Sequence, residues 1–120
     1  MNNKPKYSLF KNAKYALDGF THALKSETSF KLELFFGFFI FIAIYFLPLT
    51  FYSKMILVIT AFLVLIVELL NSAIENVVDL VTNKIHPLAK AAKDVAATAV
   101  LFSLILHIFC WILVIMYELF

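Results

Sequence analysis

The sequence predicts an all-α membrane protein with three transmembrane helices and an N-terminal amphipathic surface helix. Three observations carry that prediction: an apolar excess, long stretches without charge, and lysines gathered between those stretches. Of the 120 residues, 63% are hydrophobic and 15% charged, against about half and about a quarter in soluble domains. A chain this short still exposes much of its surface, so one small core cannot hide the surplus. With 2 Gly and 3 Pro, a Gly-rich loop protein or a disordered chain is disfavoured. Cys110 is the one cysteine, which excludes an intrachain disulfide and a Cys-based zinc site. The net charge is +2, but the clustering of the charges says more than their sum.

No internal repeat or linker divides the chain, which reads as one domain over 1–120. The first element is a helix over about 7–26. Phe10, Ala13, Leu17, Phe20 and Leu24 recur at helical spacing, while Lys11, Lys14, Asp18, His22 and Lys25 fall on another side. That pattern predicts a helix lying on a membrane surface with lysines toward anionic headgroups; packing on a soluble partner is the alternative. The first span is expected over 34–53, which carries no charge and is long enough to cross about 30 Å of hydrocarbon. Pro48 marks its far end. The second span is expected over 55–82, where an apolar run continues in helical register through Glu68 and beyond. Asn83, Pro87 and the lysines at 84, 90 and 93 read as a loop. The third span is expected over 95–117. Backbone groups in lipid must bond internally, so the spans are helices. A cleaved signal peptide is not expected, because the first apolar span starts too far in and is too long.

Lysines set the orientation. Lys4, Lys6, Lys11, Lys14, Lys25 and Lys31 precede the first span, and Lys84, Lys90 and Lys93 lie between the second and third. Lys54 alone lies between the first two. The positive-inside rule then places the N-terminus in the cytoplasm and the C-terminus outside. Tyr7, Tyr52 and Tyr117 read as interface anchors.

Chemistry is concentrated in the second span. At about 100° per residue, Glu68, Asn71, Ser72, Glu75 and Asp79 share a stripe roughly 100° wide, and the other faces are Leu, Ile, Val and Ala. Carboxylates at membrane depth cost several kcal/mol unless partnered, and they mark function. Carboxylates and an amide can hold Mg²⁺, which prefers oxygen ligands and shares them with phosphates. A carboxylate can also serve as general base on an alcohol. Two other readings stay open from spacing alone: interhelical glue, which accounts for Asn71 and Ser72 better than for two glutamates, and a proton or cation path. There is no Walker A pattern and no HExxH.

The string Val67-Glu-Leu-Leu-Asn-Ser-Ala-Ile-Glu-Asn-Val-Val-Asp79 resembles the signature of the prokaryotic diacylglycerol kinases, small integral-membrane enzymes that include undecaprenol kinases. Lys11-Asn12-Ala13-Lys14-Tyr15 followed by Asp18-Gly19 resembles the family's surface helix. Glu27-Thr28-Ser29-Phe30-Lys31-Leu32-Glu33 resembles its acidic segment before the first span, and Ala92-Lys93-Asp94 with Ala96-Ala97 the opening of its third. Trp111 falls where the family has a tryptophan.

The resemblance implies a homotrimeric lipid kinase of the bacterial inner membrane using ATP and Mg²⁺. Diacylglycerol is the leading acceptor and undecaprenol the alternative, and no nucleic-acid partner is expected. It implies Glu68 as catalytic base with Asn71 holding that site, and Glu27 and Glu75 as ligands of the metal and its nucleotide. Tyr15, Lys84, Ile85, His86, Lys93 and Asp94 would contact ATP, with Asp79 supporting the same end. Asn12, Ala13, Phe30, Glu33, Glu68, Ala97 and Trp111 would face the lipid. Ser8 stands where some family members carry an arginine, and this chain has none. His107, inside the third span, is expected to bond to a neighbouring helix. An oligomer conducting protons or cations, or a scaffold, would be the competing classes.

Overall fold

A computed structural model describes residues 8–120 as four helices: α1 (Leu9–Ser26), α2 (Thr28–Phe46), α3 (Phe51–Val81) and α4 (Pro87–Leu119). Lys4, Lys6 and Tyr7 lie outside the described residues. Helices α2, α3 and α4 are each long and apolar enough to cross a membrane.

Ser8 caps α1, its hydroxyl accepting from the Lys11 amide at 3.4 Å, which is the ordinary work of an N-cap serine. The helix turns into α2 at Glu27, whose backbone is extended. Phe20 of α1 meets Phe30 of α2 edge to face, with ring centroids 5.8 Å apart. Phe30 is fully buried there.

The helices differ from their expected bounds in three places, each for a local reason. In place of the expected span 34–53, α2 starts at Thr28 and stops at Phe46. Pro48 disfavours the helical region for the residue before it, and Leu47 is extended. The Leu49 amide then donates to Leu47 O at 2.8 Å, closing a three-residue turn around the proline. For the expected 55–82, α3 begins at Phe51, because Thr50 caps it by accepting from the Ser53 amide. For the expected 95–117, α4 begins at Pro87. His86 is its N-cap and proline suits the first helical position, where no amide hydrogen is needed. Lys90 and Lys93 therefore ride on a helix rather than in a loop.

Helices α3 and α4 pack along their length, α2 leans on α3, and α1 on α2. One face of α3 is covered: Ser53, Leu57, Thr60, Val64, Glu68, Asn71 and Ser72 are buried. Ile44, Leu57 and Val114 form the apolar core near the α2–α3 turn, with Trp111 packed against it. Most other large apolar side chains are exposed on the single chain, including much of the Phe35–Phe41 run, as lipid contact requires.

Candidate active site

The covered face of α3 carries the chemistry because its spacing keeps it there. Thr60, Val64, Glu68 and Ser72 follow at four-residue steps and Asn71 sits beside them, so one stripe points inward for about four turns. Glu68 is 5% exposed. The group facing it is the carboxyl of Glu33 on α2, within hydrogen-bonding range. Two carboxyls that close need a proton or a cation between them. Glu75 and Glu27 are also near enough for their charge to act on Glu68. Asn71 Nδ2 donates to Glu75 Oε1 at 3.1 Å, tying the second glutamate to the stripe.

Three buried side-chain atoms have no hydrogen-bond partner among the described residues: Glu33 Oε2, Asn71 Oδ1 and Ser72 Oγ. All three lie on Glu68's immediate neighbours, facing it or within about one turn of it. An unsatisfied buried polar atom costs about 1–3 kcal/mol, so three in one place mark where outside groups supply the missing bonds.

Along α3, the cluster lies between two concavities, one lined by residues before it and one by residues after it. An apolar groove of about 500 Å³ runs between α2 and α3 with α4 as one wall. Glu33 lines one part of it, Ile44 and Val58 another, and His107 is the α4 wall residue with a polar ring. At the lysine-rich end, a second cavity of about 360 Å³ lies between the end of α3 and the start of α4, lined by Asp79, Lys84, Ile85, His86, Lys93 and Asp94 among others. Lys93 donates to Asp79 at 2.6 Å and Lys90 to Asp94 at 2.6 Å. His86 Nδ1 accepts from the Leu88 amide. Asp79 is eleven residues beyond Glu68 on α3, so the cavity starts roughly 16 Å from it along the helix axis.

The expected site residues thus fall into four groups. Glu27, Glu33, Glu68, Asn71 and Glu75 come together, with Phe30 buried on the same stretch of α2. Lys84, Ile85, His86, Lys93 and Asp94 share the cavity. Asn12, Ala13 and Tyr15 are exposed on α1, and Ala97 is exposed on α4. Trp111 packs with the apolar core and bonds to His107, away from the carboxyls. Among the described residues no three His, Cys, Asp or Glu side chains form a metal cage. The donors beside Glu68 are carboxylate and amide oxygens, which fit Mg²⁺ held by one or two carboxylates together with phosphate oxygens.

Polar contacts outside the motif were legible only in part. His107 does bond to a neighbouring helix, its Nδ1 lying 2.7 Å from Thr60 Oγ1. Thr60 itself continues the Glu68 stripe, a signal that four-residue spacing carries. Nothing local announces that Glu118, near the end of α4, accepts from Thr50 and from Ser53 Oγ at the start of α3.

A family profile described as prokaryotic diacylglycerol kinase matches residues 14–115, which takes in the stripe, both concavities and most of all three long apolar helices. The chain belongs to the prokaryotic diacylglycerol kinase family. Its relatives include the diacylglycerol kinase of Helicobacter pylori, 37% identical over 103 residues, or 86% of this chain and 80% of the relative. The Haemophilus influenzae diacylglycerol kinase is 37% identical over 86% of this chain and 87% of its own length. The Escherichia coli enzyme of that name is 34% identical over 86% and 84%. A prokaryotic diacylglycerol kinase with three such helices is a membrane protein.

Proposed function

We propose that this chain phosphorylates diacylglycerol to phosphatidate, with ATP as donor and Mg²⁺ as cofactor. The observation that carries the reading is the trio of unpartnered buried polar atoms around Glu68, set between an apolar groove and a lysine-lined cavity. A greasy acceptor reaches the stripe through the first, and a water-borne donor through the second.

The lipid lies with its tail in the groove and its glycerol head at Glu33 and Glu68. Glu68 accepts the proton of the lipid hydroxyl as that oxygen attacks the γ-phosphorus. The bond from the γ-phosphorus to the bridging oxygen breaks, and ADP leaves. Glu33, as the partner of the facing pair that carries the proton, orients the head by donating from its free oxygen to an ester carbonyl of the lipid. Asn71 keeps Glu75 turned toward the stripe through its amide and leaves its carbonyl oxygen unpartnered within a turn of Glu68. Glu27 and Glu75 would hold Mg²⁺, which neutralises charge on the phosphates when bound.

Lys93, Lys84 and His86 receive the nucleotide at the mouth, with Asp79 orienting Lys93 and Asp94 paired with Lys90 beside it. Phosphoryl transfer is mainly positioning and charge neutralisation, so a site built of oxygens and lysines without a nucleophile suits it. Tyr15, Asn12 and Ala13 of α1 close the site from the membrane surface, where the apolar Phe10 and Leu17 anchor that helix. Because α1 leaves them exposed on the single chain, their partners come from neighbouring copies in a homotrimer. The enzyme sits in the bacterial inner membrane, its lysine-rich end in the cytoplasm and its C-terminus outside.

The test is lipid phosphorylation by purified protein in detergent with Mg·ATP and either diacylglycerol or undecaprenol. Diacylglycerol should give the higher kcat/KM, and a preference for undecaprenol would move the chain to that branch of the family. Glu68→Gln should cut turnover by about 10²–10⁴-fold, the usual worth of a general base, with helix content unchanged. A fully active variant would reject Glu68 as base. Chelation of Mg²⁺ should stop turnover, and Glu75→Gln should raise the Mg²⁺ concentration needed for half activity. Ion flux through reconstituted protein without any lipid product would favour the conducting oligomer.

A further inference from the structure

The polar groups buried in the membrane region that this chemistry does not use form a second constellation. Thr60 lies on the Glu68 face of α3, eight residues earlier, which is roughly 12 Å along the axis. Its hydroxyl lies 2.7 Å from His107 Nδ1. The Trp111 indole donates to His107 Nε2 at 3.0 Å. An indole nitrogen can only donate, so Nε2 accepts, and a neutral imidazole then carries its hydrogen on Nδ1. That hydrogen goes to Thr60 Oγ1, whose own hydrogen goes to Ile56 O at 2.9 Å. The chain of donors runs in one direction, from α4 into the backbone of α3. Both ring nitrogens are engaged inside the protein, and the ring cannot swing away without stranding a polar group in apolar surroundings. His107 is 7% exposed, yet it forms part of the groove wall that continues to Glu33.

We propose that His107 is a positioning residue for the lipid acceptor. Clasped by Thr60 and Trp111, its ring fixes the groove wall along which the lipid tail runs, and so sets how the head meets Glu33 and Glu68. The inference rests on the lipid-kinase reading above. It deepens that reading by assigning a role in lipid docking that the nucleotide end does not share.

Trp111 is the only tryptophan, so its fluorescence reports on the clasp directly. Full-length protein in detergent is titrated, without nucleotide, with a diacylglycerol brominated at mid-chain, which quenches a nearby indole. Wild-type quenching should saturate. Thr60→Val removes the acceptor of His107 Nδ1–H; it should shift the Trp111 emission and raise the quenching midpoint about threefold, the size of one interhelical hydrogen bond in a membrane. Thr60→Ser keeps the hydroxyl and should restore both. His107→Leu should act in the same direction and further, and the Thr60 pair decides the matter if that variant does not fold. In turnover assays Thr60→Val should raise the lipid KM by the same factor and leave the ATP KM unchanged.

A wild-type indole that the brominated lipid does not quench overturns the proposal. So does an unmoved midpoint in Thr60→Val, or an ATP KM that rises as far as the lipid KM, since general loosening does that. If no lipid is phosphorylated but the midpoint shift and its rescue persist, the kinase reading falls and the docking role stands. If phosphorylation is intact but the midpoint does not move, the docking role falls and the kinase reading stands.

Discussion

The two halves of α3 treat buried polar groups in opposite ways. Toward the α2–α3 turn, every one of them is paired. Thr60 is bonded to His107, which holds Trp111, and Ser53 and Thr50 donate to Glu118. Lys54 donates to Tyr45 O at 2.8 Å, placing a cation at the C-terminal end of α2, while the Glu118 carboxylate faces the N-terminal end of α3. Both suit the helix dipoles. Around Glu68 the pattern inverts: two carboxyls face each other, and three polar atoms lack partners among the described residues. A residue type is therefore a poor guide to role inside a membrane. Threonine, serine, histidine and glutamate all serve as ties in one half, and serine, asparagine and glutamate form an open site in the other. Whether the bonds close within the protein separates the two cases.

Substitutions can break or sharpen that contrast. The largest effect belongs to the open half, where Glu68→Gln should cost about two to four orders of magnitude in turnover while the unfolding transition stays in place. Next comes the closed half: Thr60→Val should lower the unfolding free energy in a micelle denaturation by about 0.6–1.7 kcal/mol, with turnover at saturating lipid near wild type. Glu118→Ala should lower the unfolding midpoint by less, because its site is open to solvent and screened, and should not alter the KM for either substrate. The smallest stability loss is expected at Ser72→Ala. Its buried hydroxyl has no bond to lose, so unfolding free energy should hold or rise, by up to about 1–3 kcal/mol, as the unsatisfied group is removed. A loss at Ser72 as large as that at Thr60 would erase the distinction between the halves.

The Glu68 stripe was legible because a helix converts spacing into direction. Of the six polar residues in the twelve-residue run 68–79, five are spaced to share a face, with Asn76 just beyond its edge. Glu33 was harder to place, since it lies on another helix, thirty-five residues earlier, and only the packing of α2 on α3 turns it toward Glu68. Uncharged stretches also stop short of the helix ends. Apolar runs record where lipid is, whereas α4 extends eight residues beyond the uncharged stretch because His86 and Pro87 start it there. Charged residues such as Lys90 and Lys93 are good helix formers, and their charge marks the water boundary rather than the helix boundary.

By itself the chain determined that it would be helical, that three helices would be long and apolar enough to cross a bilayer, and that one stripe of acids would share a face. Those outcomes follow from composition and from the 3.6-residue repeat, which act over a few turns of one segment. Tertiary structure alone decided that Glu33 would oppose Glu68, that a groove and a cavity would flank that pair, and that Thr60, His107 and Trp111 would close on one another. The contacts behind these outcomes join helices far apart in sequence. Their geometry depends on how whole apolar surfaces interlock, which no local pattern encodes.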